Sequence, residues 1–473
     1  GYAMERNEIG YMSAVDVAAA IREKRLSPVE VVDAILSRIE EVNPRVNAYC
    51  TIVGESARKR AREAEAEVIK GEELGPLHGV PVSIKDLMFT KGVRTTFGSR
   101  VYENHVPEED DIVVERLQAA GAIMLGKTNT PEFGFMGVTD NLLFGPTRNP
   151  WNLGRHAGGS SGGAAAAVAA GMGPLATGSD GGGSIRIPSS FCGVFGLKPS
   201  YGRVPRGPGF PDWQTLAHSG PITRTVADAA LMMEVIAGRD DRDRRSLPET
   251  GLRYLPLADK DLKGMKIGWT PDLGYAAVDP EVVAGLTAAV GVFESLGADV
   301  ELATLDLEPP GMTFAVIWAV TYASKYADML DEWRGQMHPN LVAMIERGKD
   351  VLATDYARAA TAREEFWRVI RPAFEKYDLL LTPTTAVPAF EIDKFEMAEI
   401  GGVKGTPTVD WTPFTYPFNF TGQPAASVPC GWTDEGLPIG LQIVGRRFDD
   451  AGVLRASAAF ERAAPWADRR PLL

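Results

Sequence analysis

Residues 156 to 200 read HAGGSSGGAAAAVAAGMGPLATGSDGGGSIRIPSSFCGVFGLKPS, and no other segment so concentrates glycine and serine while keeping apolar runs long enough to fold. A first glycine loop, Gly158 to Gly163, carries Ser160 and Ser161 and opens into the alanine run Ala164 to Ala170. Alanine is the strongest helix former, so this loop should deliver its serines to a helix start, where backbone N–H groups lack intrahelical partners. A second loop, Gly178 to Ser184, follows the apolar Pro174, Leu175 and Ala176 and sets Gly181, Gly182 and Gly183 directly before Ser184. Without Cβ atoms, successive N–H groups can converge on one point and a carbonyl can come within bonding distance of the serine. That pattern describes a nucleophile with an oxyanion hole beside it.

Other chemistries match the letters of the chain, and their structural demands separate them. Gly158-Gly159-Ser160-Ser161-Gly162 fits GxSxG, the nucleophile elbow of Ser-His-Asp hydrolases, with His218 or His338 as base. That elbow needs a strand immediately before its serine, whereas Asn149 to Gly154 reads as a turn. Gly121 to Thr128 fits the nucleotide-binding pattern GxxxxGK[ST], but Ala122-Ile123-Met124-Leu125 reads as an apolar strand rather than a loop that wraps phosphate. Ser56-Ala57-Arg58-Lys59 matches SxxK on a highly charged helical face with no apolar pocket. The five histidines lie neither at HExxH spacing nor near a second ligand cluster, so no metal and no cofactor is expected.

Around this centre the chain alternates strands and helices. Ser27-Pro28-Val29-Glu30 combines an N-cap serine, a proline at the first helical position and a capping-box glutamate ahead of Val31, Val32, Ile35, Leu36 and Ile39. Gly79 to Leu87 reads as a strand carrying Lys85 at its end, Asp111 should cap a helix over Ile112 to Ala120, and Ala122 to Leu125 gives the next strand, a parallel unit. From 201 the chain reads as irregular up to a helix over Thr225 to Ala237. Alternation resumes with Met265 to Trp269, Pro280 to Leu296 and Asp299 to Ala303. Residues 311 to 375 are mostly helical and rich in aromatic side chains; Trp318 and Tyr322, four apart, share one helical face that suits a pocket wall. Strands over Asp378 to Leu381, Ala426 to Val428 and Ile439 to Val444 and a helix over Ala451 to Ala464 close the pattern.

A formal charge of −13 argues against a polyanion partner, because nucleic-acid binding leans on lysine and arginine neutralising phosphates. Hydrophobic content of 45% and charged content of 23% are ordinary for a soluble globular protein. Cys50, Cys192 and Cys430 are too widely spaced for a CxxC site and odd in number, which suits a reducing compartment. No run approaches the roughly 18 to 20 apolar residues that span a bilayer, so a cytoplasmic protein without membrane contact is expected.

The paired GGSSGG and GSDGGGSIR loops, with Lys85 upstream in Pro81-Val82-Ser83-Ile84-Lys85-Asp86, resemble the amidase signature family. Gly126-Lys127-Thr128-Asn129, Phe144 to Trp151 and Gly196-Leu197-Lys198-Pro199 extend the resemblance, and it returns at Asn419 to Ala425 and at Leu437 to Gln442. It implies an α/β fold with a large mixed, mostly parallel β-sheet flanked by helices on both faces, built as one domain over 1–473. Within it, 4–75 are N-terminal helices, 76–240 the catalytic core and 305–410 a helical substrate-pocket insertion. It further implies Ser184 as nucleophile, Ser160 as a bridging serine behind a cis peptide bond and neutral Lys85 as base. The oxyanion would be held by N–H groups of Gly181, Gly182, Gly183 and Ser184. Asp180 and Arg186 are expected to fix the loop, and the backbone near Gly134 to line the site. A lysine accepts protons at neutral pH only when burial drives its pKa well below about 10.4.

Up to residue 245 the sequence is also similar to the glutaminase component of glutamyl-tRNA amidotransferase, its A subunit, which releases ammonia from glutamine. The pattern of that component has threonine after Asp180 and glutamine before Pro188, where this chain has Gly181 and Ile187. In the C-terminal segment Asp410-Trp411-Thr412-Pro413-Phe414-Thr415-Tyr416-Pro417, Thr412 stands where an acid would hold an α-amino group. The expected substrate is therefore a small apolar aryl or alkyl amide, or a carbamate, which presents the same carbonyl bonded to nitrogen. The expected assembly is a monomer or homodimer.

Overall fold

The computed structural model describes residues 5–209, 214–404 and 411–473, so Asp410 and the first residues of the N-terminal segment lie outside the described residues. Eleven strands form one sheet: β1 (Tyr49–Ile52), β2 (Pro81–Lys85), β3 (Ile123–Thr128), β4 (Leu175–Asp180), β5 (Phe195–Lys198), β6 (His218–Thr223), β7 (Lys266–Trp269), β8 (Asp299–Leu302), β9 (Leu379–Pro383), β10 (Ala425–Trp432) and β11 (Pro438–Gly445). Their spatial order is β1-β3-β2-β4-β6-β5-β10-β11-β9-β7-β8. Helices flank it, as expected, and the sheet is mixed.

Its parallel character is more restricted than expected. Parallel pairing joins β3, β2 and β4 on one side and β9, β7 and β8 on the other. The centre, from β4 through β6, β5, β10 and β11 to β9, is antiparallel throughout, as is the β1 edge, so the sheet is not mostly parallel. Two of the parallel pairs, β2–β3 and β7–β8, are strand–helix–strand crossovers between sequence neighbours, whereas β10 and β11 form a hairpin from the far end of the chain inserted between the flanks. Two central strands, β5 and β6, are not foreseen from local sequence, and β6 lies within the stretch expected to be irregular.

The helix over Pro28–Val46 has the expected capping box. Asp111 precedes the helix Ile112–Ala119 but does not cap it. Its carboxylate instead accepts N–H bonds from Phe89 at 3.1 Å and Gly209 at 2.7 Å, tying together two loops beside the site. The alanine run forms α1 (Gly162–Ala169), buried along its whole length. A helix apolar all round can only be an interior helix, and its small side chains let it sit close to β2, β3 and β4. α2 (Arg186–Cys192) follows the second glycine loop and is equally buried. The segment 311–376 folds as helices, beginning with α3 (Gly311–Tyr326).

Candidate active site

Lys85 ends β2 and is completely buried. Its backbone N–H donates to Thr177 Oγ1 on β4 at 3.0 Å, and its amine lies among serines. Nζ is 2.6 Å from Ser160 Oγ, 2.9 Å from Ser161 Oγ and 2.9 Å from Ser179 Oγ. Burial, reinforced by the positive Arg206, drives the Lys85 pKa well below the ordinary lysine range, against a smaller upward pull from Asp180. Of these three hydroxyls the sequence points to Ser160 alone; Ser161 and Ser179 are additions.

The first glycine loop delivers its serines as expected, and the Gly159–Ser160 peptide bond is cis. Ser161 sits at the N-cap position of α1 but does not cap it. Its hydroxyl lies 3.2 Å from the Ser179 carbonyl, which it can reach as a donor, while the Gly162 and Gly163 N–H groups bond to Thr139 Oγ1 and the Asn129 carbonyl. The first two N–H groups of the helix are thus already bonded to protein. The Ser161 N–H donates to the Ser184 carbonyl at 3.1 Å, which locks the two loops together.

Asp180 organises the second loop. Its carboxylate accepts from the Gly183 N–H at 2.8 Å, the Ile185 N–H at 3.1 Å, Asn419 Nδ2 at 2.8 Å and Arg186 at 2.9 and 3.0 Å. Burial alone would raise the Asp180 pKa, but the Arg186 guanidinium and these donors hold it below the usual carboxylate range. Arg186, fully buried, also donates to the Thr415 carbonyl, Gln442 Oε1 and Asn419 Oδ1. Asp180 and Arg186 therefore lie where they can fix the loop. One expected role is corrected: the Gly183 N–H is committed to Asp180, leaving Gly181, Gly182 and Ser184 as the amides not bonded to protein among the described residues.

These glycines are required by close packing. A Cβ at Gly181 would fall 2.9 Å from the Trp318 ring, one at Gly182 2.6 Å from Phe314 Cζ, and one at Gly183 2.4 Å from Thr415 Oγ1. Helix α3 thus rests directly on the loop.

A cleft opens over Ser160 and Ser184, lined also by Gly134, Gly181, Trp318 and Tyr322, so all three expected pocket residues meet there. Gly134 adopts a left-handed φ of +68° beside Ser160. Trp318 Nε1 donates to the Phe135 carbonyl at 2.9 Å and Tyr322 Oη to the Phe133 carbonyl at 2.8 Å. Their polar tips are consumed by the 133–135 loop, leaving the cleft ring faces. The aromatic side chains of the 411–417 segment do not face the cleft: Trp411 packs on Phe191 and Phe390, and Tyr416 stacks on Phe314, behind it.

No histidine lines this cleft among the described residues. His218 Nδ1 lies 2.7 Å from the Leu216 carbonyl, and burial drives its pKa well below 6.5. His338 accepts the Asn340 N–H as a helix cap, and His156 faces the Lys394 carbonyl with its pKa lowered by burial to about 4. Lys127, in the GxxxxGK[ST] match, is a strand residue whose amine donates to the Met88 carbonyl and Thr95 Oγ1. Among the described residues no group of three His, Cys, Asp or Glu could hold a metal ion.

Residues 30–454 match the family model described as Amidase. This chain belongs to the amidase family. It is 43% identical to an acylamidase of Rhodococcus erythropolis over 99% of this chain and 98% of the relative. It is 40% identical to the A subunit of the glutamyl-tRNA(Gln) amidotransferase of Moorella thermoacetica, over 98% of this chain and 99% of the relative. A bacterial aryl acylamidase of the amidase signature family superposes with a TM-score of 0.91 at 36% identity, covering 97% of both chains. This amidase is a hydrolase acting on carbon–nitrogen bonds. No helix among its described residues is long and apolar enough to cross a membrane.

Proposed function

We propose that this amidase cleaves the C(=O)–N bond of apolar aryl or alkyl amides through an acyl-enzyme on Ser184, with Ser160 and Lys85 as the proton relay. The observation that carries this reading is the Lys85 amine, buried among hydroxyls with no carboxylate bonded to it. A neutral amine has two N–H groups to donate and one lone pair. The Ser161 hydroxyl, turned to the Ser179 carbonyl, can only accept from Nζ. Of the two hydroxyls that remain, Ser160 at 2.6 Å is nearer than Ser179 at 2.9 Å, and it is read as the one that gives its proton to the lone pair.

In this mechanism Ser184 Oγ attacks the carbonyl carbon as its proton passes to Ser160 Oγ and the Ser160 proton passes to Lys85 Nζ. The oxyanion is stabilised by the amides of Gly181, Gly182 and Ser184. Returned protons then reach the leaving nitrogen, the C–N bond breaks, and water repeats the sequence to release the acid. Asp180 and Arg186 act as positioning residues, and helix α3 of the helical segment 311–376 supplies the apolar wall through Trp318 and Tyr322. Carbamates present the same carbonyl to the same groups. The similarity to an acylamidase supports an amide substrate over a glutamine-specific role.

The test is a panel of anilides, aliphatic amides, carbamates and glutamine, with Ser184→Ala alongside. Anilides and aliphatic amides should be turned over faster than glutamine, and Ser184→Ala should lose more than about a hundredfold in kcat with its melting temperature kept. Mass spectrometry of the wild type should find the acyl adduct on the peptide containing Ser184. Substantial residual activity in Ser184→Ala would assign the nucleophile elsewhere.

A further inference from the structure

The cleft also holds two polar groups that the proposed chemistry does not use. Buried nitrogens are nearly always hydrogen-bonded, yet Arg206 Nε and Gln214 Nε2 are buried without a partner, and both residues line the cleft with Ser160 and Ser184. Arg206 is held in place: Nη1 donates to Ser219 Oγ at 2.9 Å and its backbone N–H to Asp243 Oδ2 at 2.9 Å. It makes no ion pair among the described residues. The cleft's own carboxylates are occupied elsewhere, Asp180 by Arg186 and its amides, Asp111 by the Phe89 and Gly209 N–H groups. A buried Nε–H without a protein acceptor is costly, and an anionic oxygen is the acceptor that would offset that cost best.

We propose that Arg206 and Gln214 form an acceptor subsite, so that the favoured amides carry a carboxylate at a distance from the scissile bond. Such a substrate is apolar through its middle, along Trp318 and Tyr322, and anionic at one end. The inference rests on the amide-hydrolase reading above and narrows it to a substrate class.

The experiment follows release of the aromatic amine, on the upper plateau of the pH profile, from pairs of anilides differing only as carboxylate or methyl ester. One pair carries the group on the acyl chain (glutaranilic acid and its methyl ester), the other on the ring (4-acetamidobenzoate and its methyl ester). In the wild type at least one acid should exceed its ester in kcat/KM by about tenfold or more, the scale of one charged hydrogen bond. Arg206→Gln should bring that ratio close to one, and Gln214→Leu should lower it by less. Structural damage, or a changed Lys85, would depress acid and ester alike and leave the ratio intact. Esters turned over as well as both acids by the wild type would overturn the subsite while leaving amide hydrolysis standing. An acid preference that survives Arg206→Gln would overturn it equally. If that variant does not fold, the wild-type ratio and Gln214→Leu decide in the same way. Hydrolysis of none of the four anilides would instead sink the underlying reading and the subsite with it.

Discussion

Lys85 and Lys127 sit on adjacent parallel strands, β2 and β3, at nearly the same level, Lys85 opposite Thr128 and Ile84 opposite Lys127. Both are completely buried. Lys127 has the Asp86 carboxylate 3.6 Å away; burial lowers its pKa, and Asp86 pulls it back up. Lys85 meets only serine oxygens, and its pKa falls well below the lysine range. One position of strand register separates a structural cation from a candidate base. Lys198 shows that burial is not the whole difference: its pKa is also driven well down, by burial and by Arg186, but its amine faces the Pro199 and Gln423 carbonyls. Carbonyls have no proton to give. A lysine can serve as base only where it is both uncharged and beside a hydroxyl in contact with the cleft.

The largest effect expected from this contrast is on rate. Lys85→Ala should lower kcat by about 100- to 10,000-fold, the range of general acid–base catalysis, with the protein still folded. Arginine at the same position should not restore it, because a guanidinium stays protonated however well it fits. Steady-state kinetics and a thermal melt on both variants check this. Equal rates in Lys85→Arg and wild type would end the comparison.

At Lys127 the loss should fall on stability. Lys127→Met leaves Asp86 buried without its cation, bonded only to uncharged groups such as Thr96 and the Cys50 thiol, at a cost of about 3–5 kcal/mol. Denaturant unfolding measures that cost, and Asp86→Asn added to Lys127→Met should recover part of it. Activity per folded molecule should survive. A Lys127→Met protein of normal stability and no activity would make Lys127 part of the chemistry after all.

Much of this was legible in the sequence, because the residues near the chemistry come in tight local patterns. The glycine loops, Lys85 at its strand end, and the helical spacing of Trp318 and Tyr322 are all short-range facts. What escaped was long-range. β6, His218-Ser219-Gly220-Pro221-Ile222-Thr223, carries proline and glycine in a central strand and lacks any alternation, since every residue in it is buried. Nothing local says that Arg186 will find Gln442 and Asn419, although two amides embedded in apolar runs were a signal that could have been read. The Gly183 assignment failed because spacing cannot tell which N–H a neighbouring Asp180 will take.

A smaller and more specific effect separates the two lysines by pH. In the folded protein Lys85 is neutral at pH values where the unfolded chain would still protonate it, so the unfolded state binds more protons. Stability conferred by the wild-type side chain therefore rises with pH, from the lowered folded pKa up to the unfolded value, and is least at low pH. Lys85→Met removes that dependence. Its stability advantage over the wild type should be greatest at low pH and shrink as pH rises toward 10, measured by denaturant titration across the range. An advantage independent of pH would mean that Lys85 is charged when folded, as Lys127 is read to be.

The smallest expected effect is the one that best separates lysine from histidine as the source of the activity profile. If Lys85 is the base, activity climbs as Lys85 loses its proton, and no histidine variant should move that ascending limb. His218 is the sharpest test, because it pairs with Asp180 across β4 and β6 and its Nδ1 lies 3.2 Å from the Asp180 carbonyl, closer to the site than a surface histidine could be. Burial holds it neutral through the range where an exposed histidine titrates near 6.5. His218→Asn keeps a donor toward Leu216 while removing the imidazole, so the loop should survive. The rate can change modestly through the loop, but the midpoint of the limb should coincide with the wild type. A limb that disappears in His218→Asn and persists in Lys85→Ala would replace the serine–lysine relay with a serine–histidine one.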